Sequence, residues 1–115
     1  VPGCPEGRLG IAHFVIYTLQ MIEVRQTLVF RDWLASLRDQ RARERIAIRL
    51  VRLQAGLFGD ARFFAGIGEL RVDYGPGYRV YFVRRGDVVV ILLCGGDKKS
   101  QTADIERAKA MAEEI

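Results

Sequence analysis

Histidine and cysteine are nearly absent: the 115 residues hold one histidine, His13, and two cysteines, Cys4 and Cys94. Two cysteines so far apart make neither a disulfide framework nor a four-ligand zinc site, which needs several nitrogen or sulfur ligands at short spacing. A reduced, cytoplasmic chain is expected, with Cys94 at the end of an apolar run as a core thiol. His13 falls in an N-terminal stretch that reads as peripheral, so histidine acid–base chemistry and histidine-ligated metals are excluded from the rest of the chain. Carboxylates are sparse near the basic residues, which argues against a magnesium-dependent nuclease and leaves no metal site to expect. Long hydrophobic runs are missing too. The stretch Ile11 to Leu19 includes His13 and Thr18 and is well short of the ~20 residues that cross a bilayer, so no membrane partner is expected. Glu6 cancels Arg8 ahead of it, and no small-residue cleavage site follows, which does not suit a secretory signal.

What is present suits one small α+β domain. Half the residues are hydrophobic and 28% are charged, enough apolar surface for a core and too much for disorder. Lysine and arginine number 18 against 14 acidic residues, for a net charge of +4, and 15 of the 18 are arginine. That balance suits an anionic partner. Residues 1–20 differ from the remainder: Pro2, Pro5 and three glycines interrupt the first ten residues, and Met21 stands just before the first well-patterned strand. We expect residues 1–20 to be an N-terminal extension outside the fold and residues 21–115 to be the domain. An extra strand or helix over Ile11 to Leu19 is the alternative.

Periodicity predicts the elements. Met21 to Arg25 alternates as a half-buried strand. Thr27 caps a helix in which Phe30, Trp33, Leu34 and Leu37 form one apolar stripe. A second helix runs from about Gln40 to Gln54, with Ile46, Leu50 and Leu53 inward and Gly56 as its stop. Beyond it the period becomes two. A short strand around Arg62 to Phe64 precedes Leu70 to Tyr74, Tyr78 to Arg84 and Val88 to Cys94, joined by Gly75-Pro76-Gly77 and Arg85-Gly86-Asp87 turns. The last of these is continuously apolar and is expected to be central, covered on both faces. A final helix over Asp104 to Ile115, capped by Ser100 or Thr102, points Ile105, Ala108 and Ile115 inward. Helices and strands are segregated, so the class is α+β with a curved, mainly antiparallel sheet of four or five strands.

Charge is concentrated in two places. From Arg38 to Arg52 six arginines face Asp39 and Glu44, a local +4. Arg41, Arg45, Arg49 and Arg52 fall within about 80° on a helix, a basic ridge that reads either as a solvated face or as a phosphate-backbone contact. The second group is Arg71, Arg79 and Tyr81, placed by strand period and hairpin return on one patch of sheet, with Lys98 and Lys99 at its edge. Arginines there can clamp a phosphodiester while tyrosine stacks on a base. Pairing of Arg71 or Arg79 with Glu69 or Asp73 is the plainer reading. No Walker loop, nucleophile elbow or dinucleotide fingerprint is present, and no cofactor is expected.

Two blocks, GIGELRVDYGPGYRVYF from Gly66 to Phe82 and ILLCGGDKKSQTADIERAKAM from Ile91 to Met111, resemble the addiction module killer protein branch of the RelE/HigB toxin superfamily. Phe30, Asp32-Trp33-Leu34, the Arg45 to Leu53 helix and Gly59-Asp60 extend the resemblance to about residues 21–115. It implies two N-terminal helices packed on a curved antiparallel sheet. It also implies a toxin of a type II toxin–antitoxin pair, held by a helix-turn-helix antitoxin and cleaving mRNA on the ribosome without metal, to leave a 2′,3′-cyclic phosphate and a 5′-hydroxyl. Carried over, Arg71 looks like the family's strand arginine, Arg79 a second phosphate ligand, and Lys98 or Lys99 the C-terminal basic position. A lysine flanked by the other cations would act as the base and Tyr81 or an arginine would donate to the leaving oxygen, and Arg41, Arg45, Arg49, Arg52, Arg84 and Arg85 would face RNA or ribosome. The sequence departs from the pattern in having no tyrosine or histidine near its C-terminus. The alternatives on the same fold are a ParE-like toxin that blocks DNA gyrase and a degenerate toxin that only binds its antitoxin.

Overall fold

A computed structural model describes residues 21–115; His13, Cys4 and the Ile11 to Leu19 alternative lie outside the described residues. The elements in chain order are β1 (Glu23–Gln26), α1 (Leu28–Ser36), α2 (Gln40–Gln54), β2 (Ala61–Phe64), β3 (Ile67–Val72), β4 (Tyr78–Arg85), β5 (Val89–Asp97) and α3 (Gln101–Glu114). The five strands form one mixed sheet in the order β1-β5-β4-β3-β2. Three neighbouring pairs are antiparallel, and β1 runs parallel to β5, with Glu23 opposite Val89 and Gln26 opposite Leu92. The α+β class is as expected.

Local chemistry sets the helix boundaries. Thr27 Oγ1 accepts from the Phe30 amide at 3.1 Å and donates to the Leu93 carbonyl at 2.8 Å, so the cap of α1 is also its anchor to β5. Asp39 caps α2 through the amides of Arg41 and Ala42, and Gly56 ends it at φ 82°, where a side chain would be strained. The alternating strand residues then divide the core in two. Leu70, Val72, Val80, Phe82, Val90 and Leu92 pack beneath α1 and α2 with Phe30, Ile46 and Leu53. Ile67, Tyr81, Val83, Leu93 and Cys94 pack on the other face against Ala108 of α3. Burial, with the charge of Asp104 nearby, pushes the Cys94 thiol up to about 11, which suits a packed thiol and not a reactive one.

Some boundaries differ from the sequence reading. The strand expected at Leu70 to Tyr74 is Ile67–Val72, because Ala65 and Gly66, at φ 51° and 79°, close a two-residue hairpin ahead of it. The strand expected to end at Cys94 continues through Gly95 and Gly96 to Asp97. A Cβ on Gly95 would overlap the Trp33 ring, and one on Gly96 the Asp104 carboxylate, so these glycines let α1 and α3 close on opposite faces of one strand. The C-terminal helix begins at Gln101, not Asp104, and Ile115, expected inward, lies 48% exposed beyond its end.

Candidate functional site

Strand pairing fixes where the second cationic group meets. Arg71 of β3 stands directly opposite Arg79 of β4, which in turn faces Gly96 of β5, two residues before Lys98. The Gly75-Pro76-Gly77 turn caps this end of the hairpin, with Lys98 lying close to Gly77. Together Arg71, Arg79 and Lys98 line a cleft of about 450 Å³ with Asp60, Asp73 and the turn. Arg79 is half-buried, and its Nε is a buried nitrogen without a hydrogen-bond partner among the described residues. A buried arginine N–H without a partner is an exception in folded proteins, and no hydrogen bond among the described residues holds the Arg79 guanidinium away from an anion.

Arg71 is already engaged, though not by Glu69 or Asp73. Its Nε and one terminal nitrogen donate to Asp60 Oδ1 at 3.0 and 2.5 Å. The backbone reinforces this pair, since the Arg71 amide donates to the Asp60 carbonyl at 2.9 Å. Arg49 of α2 donates to the carbonyls of Arg71, Phe58 and Asp60, stapling the loop before β2 to the end of β3. Burial lowers the Arg49 pKa, opposed by the Asp60 charge, and the group spends its donors on the fold.

The other members of the basic ridge face a second, smaller cleft of about 250 Å³, lined by Arg45, Arg49, Arg52, Val72 and Asp73. Arg45 lies over the Tyr74 ring, 4.7 Å from its centre, and Tyr74 donates its hydroxyl to Asp39. Val72 and Asp73 border both clefts, so the ridge and the strand group adjoin at the end of β3. Arg41 is exposed one turn further toward the start of α2, beside a shallow depression with Asp39 and Glu44.

Four of the candidates named from the sequence lie elsewhere. Tyr81 shares the face of Arg71 and Arg79 as expected, but it is fully buried beneath α3, and its hydroxyl donates to Glu69 Oε2 at 3.0 Å. It offers no ring face to a base, and burial together with the Glu69 charge pushes its pKa well above the usual phenol range. Lys99 is exposed and does not line the cleft; its amide donates to Asp97 Oδ1. Arg84 and Arg85 sit at the opposite end of β4, five and six residues from Arg79, or roughly 17–20 Å at strand spacing. Arg84 stacks over Phe58, and Arg85 donates to the Ala112 carbonyl at the end of α3.

Two carboxylates, Asp60 in the cleft and Glu69 buried outside it, hold more of the structure around the site than their sequence context suggested. Asp60 entered the sequence reading only through the Gly59-Asp60 pair. Glu69 is fully buried between apolar neighbours, where Arg62, Tyr81 and Gln101 all donate to it. Burial works against its charge, yet hydrogen bonds from Gln101, Arg62 and Tyr81 hold its pKa below the ordinary range. Arg62 faces Glu69 across the Ala65-Gly66 hairpin, a pairing hidden by the missed start of β3, whereas Tyr81, Gln101 and the partners of Asp60 are remote in sequence, so no spacing motif flagged them.

No described helix is long and apolar enough to cross a membrane, and the described residues contain no cluster of three or more His, Cys, Asp or Glu suited to a metal ion. Residues 32–114 match the protein family described as phage derived protein Gp49-like (DUF891). The match begins inside α1, ends with α3 and takes in every residue of both clefts. An uncharacterized protein of Haemophilus influenzae is 50% identical over 95 residues, covering 82% of this chain and 96% of that protein. The chain therefore belongs to the phage derived protein Gp49-like family.

Proposed function

We propose that the protein is the toxin of a type II toxin–antitoxin pair and acts in the cytoplasm as a metal-independent endoribonuclease on ribosome-bound mRNA. The observation that carries this reading is the convergence of Arg71, Arg79 and Lys98 on one cleft, where Arg79 Nε has no partner among the described residues. Family membership and the resemblance of the GPGYRVYF and LLCGGDK blocks to addiction module toxins support it.

In such a cleft a phosphodiester sits with its non-bridging oxygens on Arg71 and Arg79. Attack by the neighbouring 2′-oxygen puts additional negative charge on those oxygens, and the two guanidinium groups stabilise that charge more than the ground state. The products are a 2′,3′-cyclic phosphate and a 5′-hydroxyl. The exposed arginines Arg45 and Arg52 extend the contact along the backbone without reading sequence. An antitoxin that lays acidic or apolar segments over this surface would neutralise it.

Induction of the chain is expected to arrest growth and to leave new 5′ ends in cellular mRNA, read by primer extension. Arg71→Ala is expected to relieve the arrest and to lower cleavage by about 10²–10³, the usual loss of one preorganised donor to a developing oxyanion. Intact transcripts during arrest would sink the nuclease reading, and a supercoiling assay with DNA gyrase would then test the ParE-like one.

A further inference from the structure

Resting on the nuclease reading, we propose that Asp60 is the general base of the cleft, taking the proton from the attacking 2′-hydroxyl. The cleft lining offers few groups that can accept a proton. Arginine stays charged, and the ammonium of Lys98 has donors and no acceptor. Tyr81 is sealed beneath α3 against Glu69. That leaves two carboxylates, Asp60 and Asp73. Asp73 makes no side-chain hydrogen bond or ion pair among the described residues, whereas Asp60 is fixed at both ends. Its carbonyl is held by the Arg71 amide and by Arg49, and its Oδ1 by two nitrogens of Arg71.

The pattern of those bonds matters. Both guanidinium bonds go to Oδ1, so among the described residues Oδ2 remains an open acceptor. Arg71 has five N–H donors and gives two to Asp60, which leaves three for a phosphate. One guanidinium can thus bridge the carboxylate and the scissile phosphate, placing Oδ2 beside the 2′-hydroxyl adjacent to that phosphate. The charges around Asp60 are Arg71 from β3, Arg79 from β4, Lys98 beyond β5 and Arg49 from α2, with Asp73 the like charge. The step balances without metal or oxidant. Asp60 Oδ2 takes the 2′ proton, the 2′-oxygen bonds to phosphorus, the bond from phosphorus to the 5′-oxygen breaks, and that oxygen takes a proton from Lys98. Exchange with water restores both side chains.

The test uses the full chain with ribosome-bound mRNA, measuring single-turnover cleavage, and binding of a message carrying a 2′-deoxy nucleotide at the scissile position. Asp60→Asn keeps an oxygen for Arg71 but loses the basic group. It is expected to bind within about 3-fold of the parent and to cleave about 10²–10⁴-fold more slowly, with the acid limb of the pH–rate profile gone. A message whose scissile 5′-oxygen is replaced by sulfur needs no proton at the leaving atom, so it is expected to rescue Lys98→Ala and not Asp60→Asn. On the same message the parent chain keeps its acid limb, a readout independent of whether the variant folds. Cleavage by Asp60→Asn within about 3-fold of the parent, or binding as poor as that of Arg71→Ala, would show that Asp60 only orients Arg71 and overturn the assignment. Loss of the acid limb on the sulfur message would overturn it as well. If the parent binds the message without cutting it, the nuclease reading itself falls, an outcome distinct from all of these.

Discussion

Glu69 holds a charge where water cannot reach it, and four donors make that tolerable: two nitrogens of Arg62 on Oε1, and Tyr81 and Gln101 on Oε2. They come from β2, β4 and α3, so this carboxylate ties the edge of the sheet to the last helix. Its pKa is held below the ordinary 4.5, so the folded state binds that proton less readily than the unfolded chain. The stability it contributes is fully present above the ordinary value and is lost as pH falls through the folded one. Arg62→Ala removes two of the four donors and is expected to move this loss to higher pH, measured as urea midpoints across the acid range. Tyr81→Phe is expected to lower stability by about 1 kcal/mol while leaving RNA affinity and cleavage unchanged. A large loss of cleavage in a folded Tyr81→Phe protein would return the phenol to the chemistry. Sequence period placed Tyr81 on the right face but could not tell buried from open, because that depends on how far α3 reaches across the sheet.

At the scale of elements, α1 and α2 were legible because each carried its own punctuation, Thr27 before α1, Asp39 before α2 and Gly56 after it, whereas α3 has no side-chain cap and its start was placed three residues late. Strand identity was legible wherever side chains alternated. It failed where glycines removed the alternation, at Gly66 just before β3, at Gly68 inside it and at Gly95 and Gly96 inside β5. There the backbone is chosen by a neighbour: the Phe82 ring occupies the space a Cβ on Gly68 would need, as Trp33 does at Gly95. The Ala65-Gly66 turn between β2 and β3 is a poor compromise in the other direction, since Ala65 carries a positive φ that its Cβ disfavours. Ala65→Asn supplies the residue type that such two-residue hairpins prefer and is expected to raise stability by about 0.5–1 kcal/mol in chemical denaturation. The convergence of Arg71, Arg79 and Lys98 was legible because hairpin register alone brings them together. The part played by Asp60 was not, because it depends on the loop that Arg49 staples to β3.

For the whole molecule, the two clefts joined at Val72 and Asp73 make binding a matter of summed charge. Each phosphate neutralised on a single strand contributes about −0.7 to the slope of log affinity against log salt. Arg71, Arg79 and Lys98 together therefore predict a slope near about −2, and engagement of Arg45 and Arg52 predicts one of about −3.5. Measuring that slope for the parent and for an Arg45→Ala/Arg52→Ala double variant determines whether RNA follows the ridge; equal slopes would confine it to the strand cleft. The parallel pairing of β1 with β5 bears on when any of this can happen. Glu23 finds its partner at Val89, so the first strand waits for nearly the entire domain before it can pair. Contacts of such long sequence separation slow folding. The three cations of the cleft also come from β3, from β4 and from beyond the end of β5. A nascent chain that has emerged only as far as β4 holds two of them on an unsupported hairpin and has no β5 against which to dock β1. The cationic cleft is thus assembled only after synthesis of the sheet is complete, so both the proposed message and the proposed antitoxin wait for the finished sheet before either can occupy it.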